Sequence, residues 1–144
     1  PYTLIDQESL HTGMQACVER NISVVVGAPF ASGILATGSA GAAHYNYGAA
    51  QPDVVEKVRR IEAVCGAHGV SLQAAALQFP LAHPAAVAII PGAAKPEELT
   101  ANIASVDAQI PPQFWDDLKS EGLIVPDAPV PGDVVPGDVK GTET

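Results

Sequence analysis

The stretch "IIPGAAKPEELTANI", residues 89–103, holds residue types that could bind an anion. An apolar pair runs into the turn Pro91–Gly92, and Pro96 suits the first position of a helix. The unpaired N–H groups and the dipole at a helix N-terminus favour negative charge. Taken alone, the same residues also fit an ordinary turn, a solvated helix start at Glu97–Glu98 and a surface amide at Asn102. Residue types therefore leave binding open.

Other patterns that carry chemistry are missing from the chain. The four histidines lack the H-x-x-x-H spacing of a zinc site, and no G-K-[ST] follows Gly33, Gly38 and Gly41 to make a phosphate loop. No G-x-G-x-x-G occurs either. Cys17 and Cys65 lack metal-type spacing, which favours two buried thiols in a reducing cytosol and predicts a cytoplasmic protein.

The composition favours one globular domain. The chain has 144 residues, 47% of them apolar, and a net charge of −9. This acidity argues against a nucleic-acid partner, which would need a basic patch, and is suited to solubility. No stretch approaches the ~20 apolar residues of a membrane span. Because the chain begins with Pro1 rather than Met, the lack of a targeting segment says little.

Helical and buried-strand patterns alternate along the chain. "ISVVVGAPF" and "AVAII" are β-branched or apolar runs without alternation, as expected for strands buried in a parallel sheet. We predict a helix at 7–20 capped by Asp6, then a strand at 22–27 and a loop at 31–52. A second helix should run from Pro52–Asp53 to His68–Gly69, and a third should be capped by Ser71 and end near Phe79. A strand at 86–90 should precede a helix that begins at Pro96, with Leu99, Ile103 and Val106 facing inward. The segment "PPQFWDDLKSEGLI" should lie over the outside of the core.

The pattern fails from about Pro126, and "VPGDV" is repeated in tandem at 130–139. We therefore assign 1–128 to the folded part and 129–144 to a flexible tail. Two parallel strands cannot form a sheet covered on both faces, because each needs further neighbours. The chain is thus expected to be part of a larger α/β domain and, in isolation, to be poorly folded or to self-associate.

The segments "YTLIDQESL", "ACVERNISVVVGAPFASGIL" and "YNYGAAQPDVVEKVRRIEAVCGAHGVSLQAAALQFPLAHPAAVAIIPGAAKPEELTANI" resemble the C-terminal portion of an aldo-keto reductase. They are most similar to the branch with aldose, fucose and pyridoxal dehydrogenases. The resemblance implies a (β/α)8 TIM barrel cut after its sixth strand, with 22–27 and 86–90 as strands seven and eight. TIM-barrel sites lie at the C-terminal ends of strands, so the loop 27–52 and the turn 91–96 should face the reaction centre.

The resemblance also implies that the family's catalytic Asp, Tyr, Lys and His lie upstream of Pro1. No residue of this chain matches them by position, so the fragment alone should lack an acid–base contribution of about 10²–10⁴-fold. Tyr45 and Tyr47 could contact substrate or simply anchor their loop.

A nicotinamide dinucleotide, NAD or NADP, is the cofactor that the resemblance implies. Its nicotinamide and pyrophosphate would be lined by Gly27, Ala28, Pro29 and Phe30, with Ser32 and Gly33 continuing the turn. Many relatives carry, at the position of Gly27, a Tyr that stacks on the nicotinamide. Phe30 is the available substitute here.

The adenosine end would lie against the opening stretch, on Pro91, Gly92, Ala93, Lys95, Glu98 and Asn102, where Asn102 matches a family Asn that contacts adenine. NADP-preferring relatives have Lys and Arg at the positions of Gly92 and Glu98. A carboxylate repels a 2′-phosphate but accepts hydrogen bonds from ribose hydroxyls. We therefore predict that NAD is preferred over NADP. Lys95 favours the opposite preference, because its ammonium group could meet a phosphate.

The predicted function is that of an NAD(P)-dependent oxidoreductase passing a hydride between nicotinamide and a carbonyl, aldose or similar alcohol. The alternative is a non-catalytic chain, either a truncated product or an interaction module. Sequence just upstream of Pro1 would separate the two.

Overall fold

The computed structural model describes residues 1–40, 44–45 and 48–133. Helices and strands alternate, which confirms the α/β class. The elements are a π-helical turn at Leu10–Met14 that continues into α1 (Gln15–Glu19), β1 (Val24–Gly27), a 3-10 turn (Ala31–Gly33), α2 (Ile34–Thr37), β2 (His44–Tyr45), β3 (Gly48–Ala49), α3 (Pro52–His68), α4 (Leu72–Leu81), β4 (Ala86–Ile90), α5 (Pro96–Asp107) and α6 (Pro112–Ser120).

Local signals place the longer helices where they were predicted. Pro52 takes the first position of α3, and Gly69, with φ of 64°, ends it in the left-handed conformation. The Ser71 hydroxyl accepts the Ala74 N–H at 3.1 Å and caps α4. Pro80 does not stop α4, because it lies in the last turn and the helix continues to Leu81.

Three other predicted boundaries are wrong. The first helix begins at Leu10 rather than residue 7, because the Asp6 carboxylate accepts the Glu8 N–H at 3.0 Å and so closes a turn that precedes the helix. The first strand begins at Val24, so residues 22–23 lie outside it. The predicted loop at 31–52 contains α2 and the antiparallel pair β2–β3.

A core of apolar side chains lies where α3, α4 and α6 meet. Aromatic rings run through it, with Phe79 stacked on Tyr2 at 5.2 Å and Phe114 edge-on to Trp115 at 4.9 Å between centroids. The α6 residues Phe114, Trp115 and Leu118 are buried, so α6 closes the core from outside as predicted.

The packed region extends beyond the predicted tail boundary. Val130, only 5% exposed, belongs to the same core, so residue 129 is too early a start for the tail. Residues 134–144, most of the predicted tail, lie outside the described residues.

The strands β1 and β4 pair in parallel, with Gly27 opposite Ile90 at the carboxyl end. Val26 is buried on the helix side, whereas Val25 and Ile90 are 53% and 62% exposed. The prediction that both strands are buried is therefore wrong for this face, since no described element covers it.

The prediction that Leu99, Ile103 and Val106 of α5 face inward is also wrong. Leu99 and Ile103 are 54% and 59% exposed, and Val106 is 37% exposed. The helix packs on α4 through another side, where the Gln78 amide donates to the Ser105 carbonyl at 2.9 Å. That bond and the buried Asn102 fix the rotation of α5 about its axis.

Candidate functional site

The two loops that leave the sheet at its carboxyl edge lie side by side. Because Gly27 pairs with Ile90 in a parallel ladder, the segments 28–33 and 91–95 depart from adjacent points. Ligands of parallel α/β proteins bind at such an edge, outside the carboxyl ends of the strands.

A cleft of about 240 Å³ opens beside these loops. It brings together four residues from the predicted cofactor set, which are Phe30, Gly92, Glu98 and Asn102. The remaining lining residues, Ala36, Thr37, Gln73 and Ala101, were not predicted. The sequence feature that could have identified Gln73 is its position as one of only two polar residues within α4.

The turn before α5 is held by side chains of that helix. The Glu98 carboxylate accepts the Ala94 N–H at 2.7 Å, and the Asn102 amide donates to the Gly92 carbonyl at 3.3 Å. Asn102 is 7% exposed, so the interpretation of it as a surface amide is wrong. Glu98 and Asn102 therefore shape the cleft and line it as well.

The loop after β1 has an unusual backbone. Ala28, Ala31 and Ser32 have φ of 52°, 49° and 59°, in the left-handed region that costs a residue with a side chain about 1–2 kcal/mol. Gly33 follows with φ of 98° and carries no such penalty. Phe30, which lies within this loop, is buried and lines the cleft.

The other predicted cofactor residues are not among those that line the cleft. Gly27, Ala28, Ser32, Ala93 and Lys95 are exposed. Gly33 and Pro91 are half-buried, and Pro29 is buried. Space is open at both strand-end glycines, because a Cβ built on Gly27 or Gly92 meets no heavy atom within 4 Å.

The weaker candidates lie elsewhere. Tyr45 is half-buried, with its hydroxyl 3.5 Å from the Asp6 carboxylate, and it is not among the cleft residues. Tyr47 lies outside the described residues. Burial raises the pKa of the Cys65 thiol to about 11, which keeps it protonated, whereas Cys17 is only half-buried, contrary to prediction.

The described segments contain no group of three His, Cys, Asp or Glu side chains placed to hold a metal ion. None of their helices combines the length and apolar character needed to cross a membrane.

Fold and cleft together define an α/β protein with a parallel strand pair and a cleft at the carboxyl edge of that pair. The family model for the aldo/keto reductase family matches residues 2–121. The chain belongs to the aldo-keto reductase family, which confirms the resemblance seen in its sequence.

Curated relatives agree with the predicted branch. The chain is 36% identical over 123 residues to pyridoxal 4-dehydrogenase from Microbacterium luteolum, covering 85% of this chain and 36% of that protein. It is 33% identical over 124 residues to D-threo-aldose 1-dehydrogenase from Pseudomonas sp, covering 85% and 38%. The chain thus spans well under half the length of these relatives.

Solved structures of the family share the fold. The aldo-keto reductase AKR11C1 from Bacillus halodurans, in its holo form, matches with a TM-score of 0.61 at 22% identity, over 83% of this chain and 40% of that one. The thermostable aldo-keto reductase Tm1743, in complex with the inhibitor epalrestat, matches with a TM-score of 0.55 at 21% identity, over 83% and 37%. Both are TIM barrels that extend well beyond the aligned part.

Proposed function

We propose that the chain is the C-terminal part of an NAD(P)-dependent aldo-keto oxidoreductase and that its cleft holds the adenosine end of the dinucleotide. In this proposal β1 and β4 are strands seven and eight of the barrel. The observation that carries it is the convergence of Phe30, from one strand end, with Gly92, Glu98 and Asn102, from the other.

The bare face of the sheet supports the barrel assignment. Val25 and Ile90 project from the face opposite the helices and are more than half exposed. In a TIM barrel this face is packed by side chains from the other strands. The six strands absent here would provide that cover.

The cleft suits one part of a dinucleotide. At about 240 Å³ it is smaller than the roughly 300–1,000 Å³ of complete small-molecule sites. The N-terminus of α5 adjoins it, and the open space at Gly92 lets a ligand approach the backbone. The rest of the cofactor would extend over the loop 28–33 toward the centre of the barrel.

The family and its named relatives support the proposed reaction. The nicotinamide, when bound, supplies or accepts a hydride at the carbonyl or alcohol carbon of the substrate, an aldose or a related compound. This chain contributes binding and orientation. We place the proton-transferring residues in the barrel segment that precedes residue 1, and finding their Asp, Tyr, Lys and His in the upstream coding sequence would support this. A genuine start codon at residue 1 would instead favour a non-catalytic chain.

We further propose that NAD is preferred over NADP. The Glu98 carboxylate is fixed at the cleft by the Ala94 N–H, where it would repel a 2′-phosphate and accept a ribose hydroxyl. Lys95, on the same turn, is exposed and provides the opposing attraction.

Replacing Gly92→Lys together with Glu98→Arg tests this preference. Two new cations near the 2′ position should shift the ratio of the NAD and NADP dissociation constants about tenfold toward NADP, as titration calorimetry would measure. The open space at Gly92 admits the lysine. Glu97→Arg is the control, because it adds a cation to the same helix turn outside the cleft lining. An unchanged ratio in the double variant would refute the assignment.

A further inference from the structure

The segment that follows α2 is tied to α3 by a carboxylate. Glu62 accepts the Ser39 N–H through Oε1 at 3.1 Å and the Ser39 hydroxyl through Oε2 at 2.5 Å. Both oxygens of one side chain are thus used on a single residue 23 positions away. Hydrogen bonds to a charged acceptor are roughly twice as strong as neutral ones.

Gly38, the residue before Ser39, leaves room for the hydrogen bonds between Ser39 and Glu62, whereas a larger residue would not. Gly38 has φ of 82°, in the left-handed region that favours glycine. A Cβ at this position would also lie well inside van der Waals contact of the Glu62 carboxylate. Gly38 therefore permits both the turn and the approach of Glu62.

The segment held in this way is a wall of the cleft. Ala36 and Thr37 line the cleft and directly precede Gly38. The Ala36 carbonyl accepts the Gln73 amide at 3.1 Å, and the Gly38 N–H donates to the Ile34 carbonyl at 2.9 Å. The wall is thus fixed from α4 by Gln73 and from α3 by Glu62.

We infer that Glu62 is a positioning residue for dinucleotide binding, acting through Ser39 on the wall at Ala36–Thr37. This inference rests on the proposed function, because it assumes that the cleft takes the adenosine end. Glu62 is not among the residues that line the cleft. Its effect on affinity is therefore indirect, through preorganisation of the wall.

The test measures dissociation constants of NAD and AMP for the 144-residue chain and its variants by titration calorimetry. Glu62→Ala should raise the dissociation constants of both NAD and AMP about tenfold, which is the scale of a lost hydrogen bond to a charged group. Ser39→Ala removes one of the two hydrogen bonds to Glu62 and should act in the same direction. The double variant should be no weaker than Glu62→Ala alone, because both changes break one contact.

Three further variants separate positioning from general stability. Glu62→Gln keeps an acceptor for the Ser39 N–H and can donate to its hydroxyl, so it should retain most of the affinity. Glu56→Ala removes an exposed α3 carboxylate paired with Arg59 and should change nothing. Leu118→Ala removes a fully buried side chain outside the cleft lining, so it should lower the melting temperature and leave the affinity of the folded chain unchanged.

The outcomes distinguish this inference from the proposed function. No saturable binding of NAD or AMP to the unaltered chain would overturn both. Binding that Glu62→Ala and Ser39→Ala leave unchanged, even with a lower melting temperature, would overturn the role of Glu62 alone. Loss of affinity in Leu118→Ala equal to that in Glu62→Ala would also overturn it, because instability would then explain the effect.

Discussion

The side of the molecule formed by α3, α4 and α6 differs sharply from the side formed by β1, β4 and α5. On the first, Phe79, Trp115 and Leu118 are at most 1% exposed. On the second, Ile90 and Ile103 remain more than half exposed although their types are as apolar. The difference is that other elements pack against the first side, whereas no described element covers the apolar residues of the second.

The largest effect should come from truncating a core side chain. Phe79→Ala should lower the free energy of unfolding by about 3–5 kcal/mol, whereas Ile90→Ala should change it by less than about 0.5 kcal/mol. Urea unfolding followed by the fluorescence of Trp115, the one tryptophan, measures both. Phe79→Leu gives a graded intermediate if the alanine variant does not fold. Similar losses at Phe79 and Ile90 would mean that the sheet face is covered even in the isolated chain.

An intermediate effect concerns self-association, which we expect through the bare sheet face. Val25→Lys with Ile90→Lys should weaken it at least tenfold, because each large apolar side chain contributes about 1.5–3 kcal/mol when buried. Sedimentation velocity over a range of concentrations would show this. Leu99→Lys with Ile103→Lys is the matched comparison on α5 and identifies which surface pairs. A wild-type chain that stays monomeric at every concentration would contradict the expectation.

The smallest effect belongs to the hydrogen bond between His68, at the end of α3, and Asp117 of α6 on the packed side. Hydrogen bonds from Gln113 and then His68, the latter at 2.7 Å, lower the pKa of the Asp117 carboxyl. A lowered pKa in the folded state adds stability above the carboxyl's ordinary pKa, and this is lost as the pH falls through the folded value. Asp117→Asn should therefore be slightly less stable than wild type at neutral pH.

The ordinary pKa of an Asp carboxyl is about 4. The stability curves of Asp117→Asn and wild type should converge as the pH falls below this value and through the lower pKa of the folded state. Thermal melts across that range measure the convergence. The adjacent and exposed Asp116→Asn is the control and should run parallel to wild type. A gap between Asp117→Asn and wild type that persists at acid pH would show that lost packing, not charge, is responsible.

Signals carried by neighbouring residues were readable from the sequence. The proline and glycine at the ends of α3 and the serine cap of α4 act within one helical turn, so their positions were predicted to within two residues. The run "AVAII" gave β4 with correct bounds. The turn at Pro91–Gly92 was predicted because it lies between such signals.

Contacts between distant segments were not readable in this way. Periodicity showed that Leu99, Ile103 and Val106 share a face of α5 but not which element covers that face. The contribution of Gln73 to the cleft depends on a hydrogen bond to Ala36, 37 positions away, and nothing in either local sequence signals it. Half of the cleft was therefore found through family resemblance, and the other half only in the folded chain.

The pairing of Gly27 with Ile90 has a consequence for how this edge of the sheet can change over evolution. The two loops beside the cleft start from backbone atoms joined in one ladder, so their separation is set by backbone hydrogen bonds and not by the side chains of the strands. The side chains of Val25 and Ile90 can then vary to match a different covering surface while the loops keep their spacing. The surface that covers the sheet and the residues that line the cleft are thereby open to separate selection within a few residues of each other.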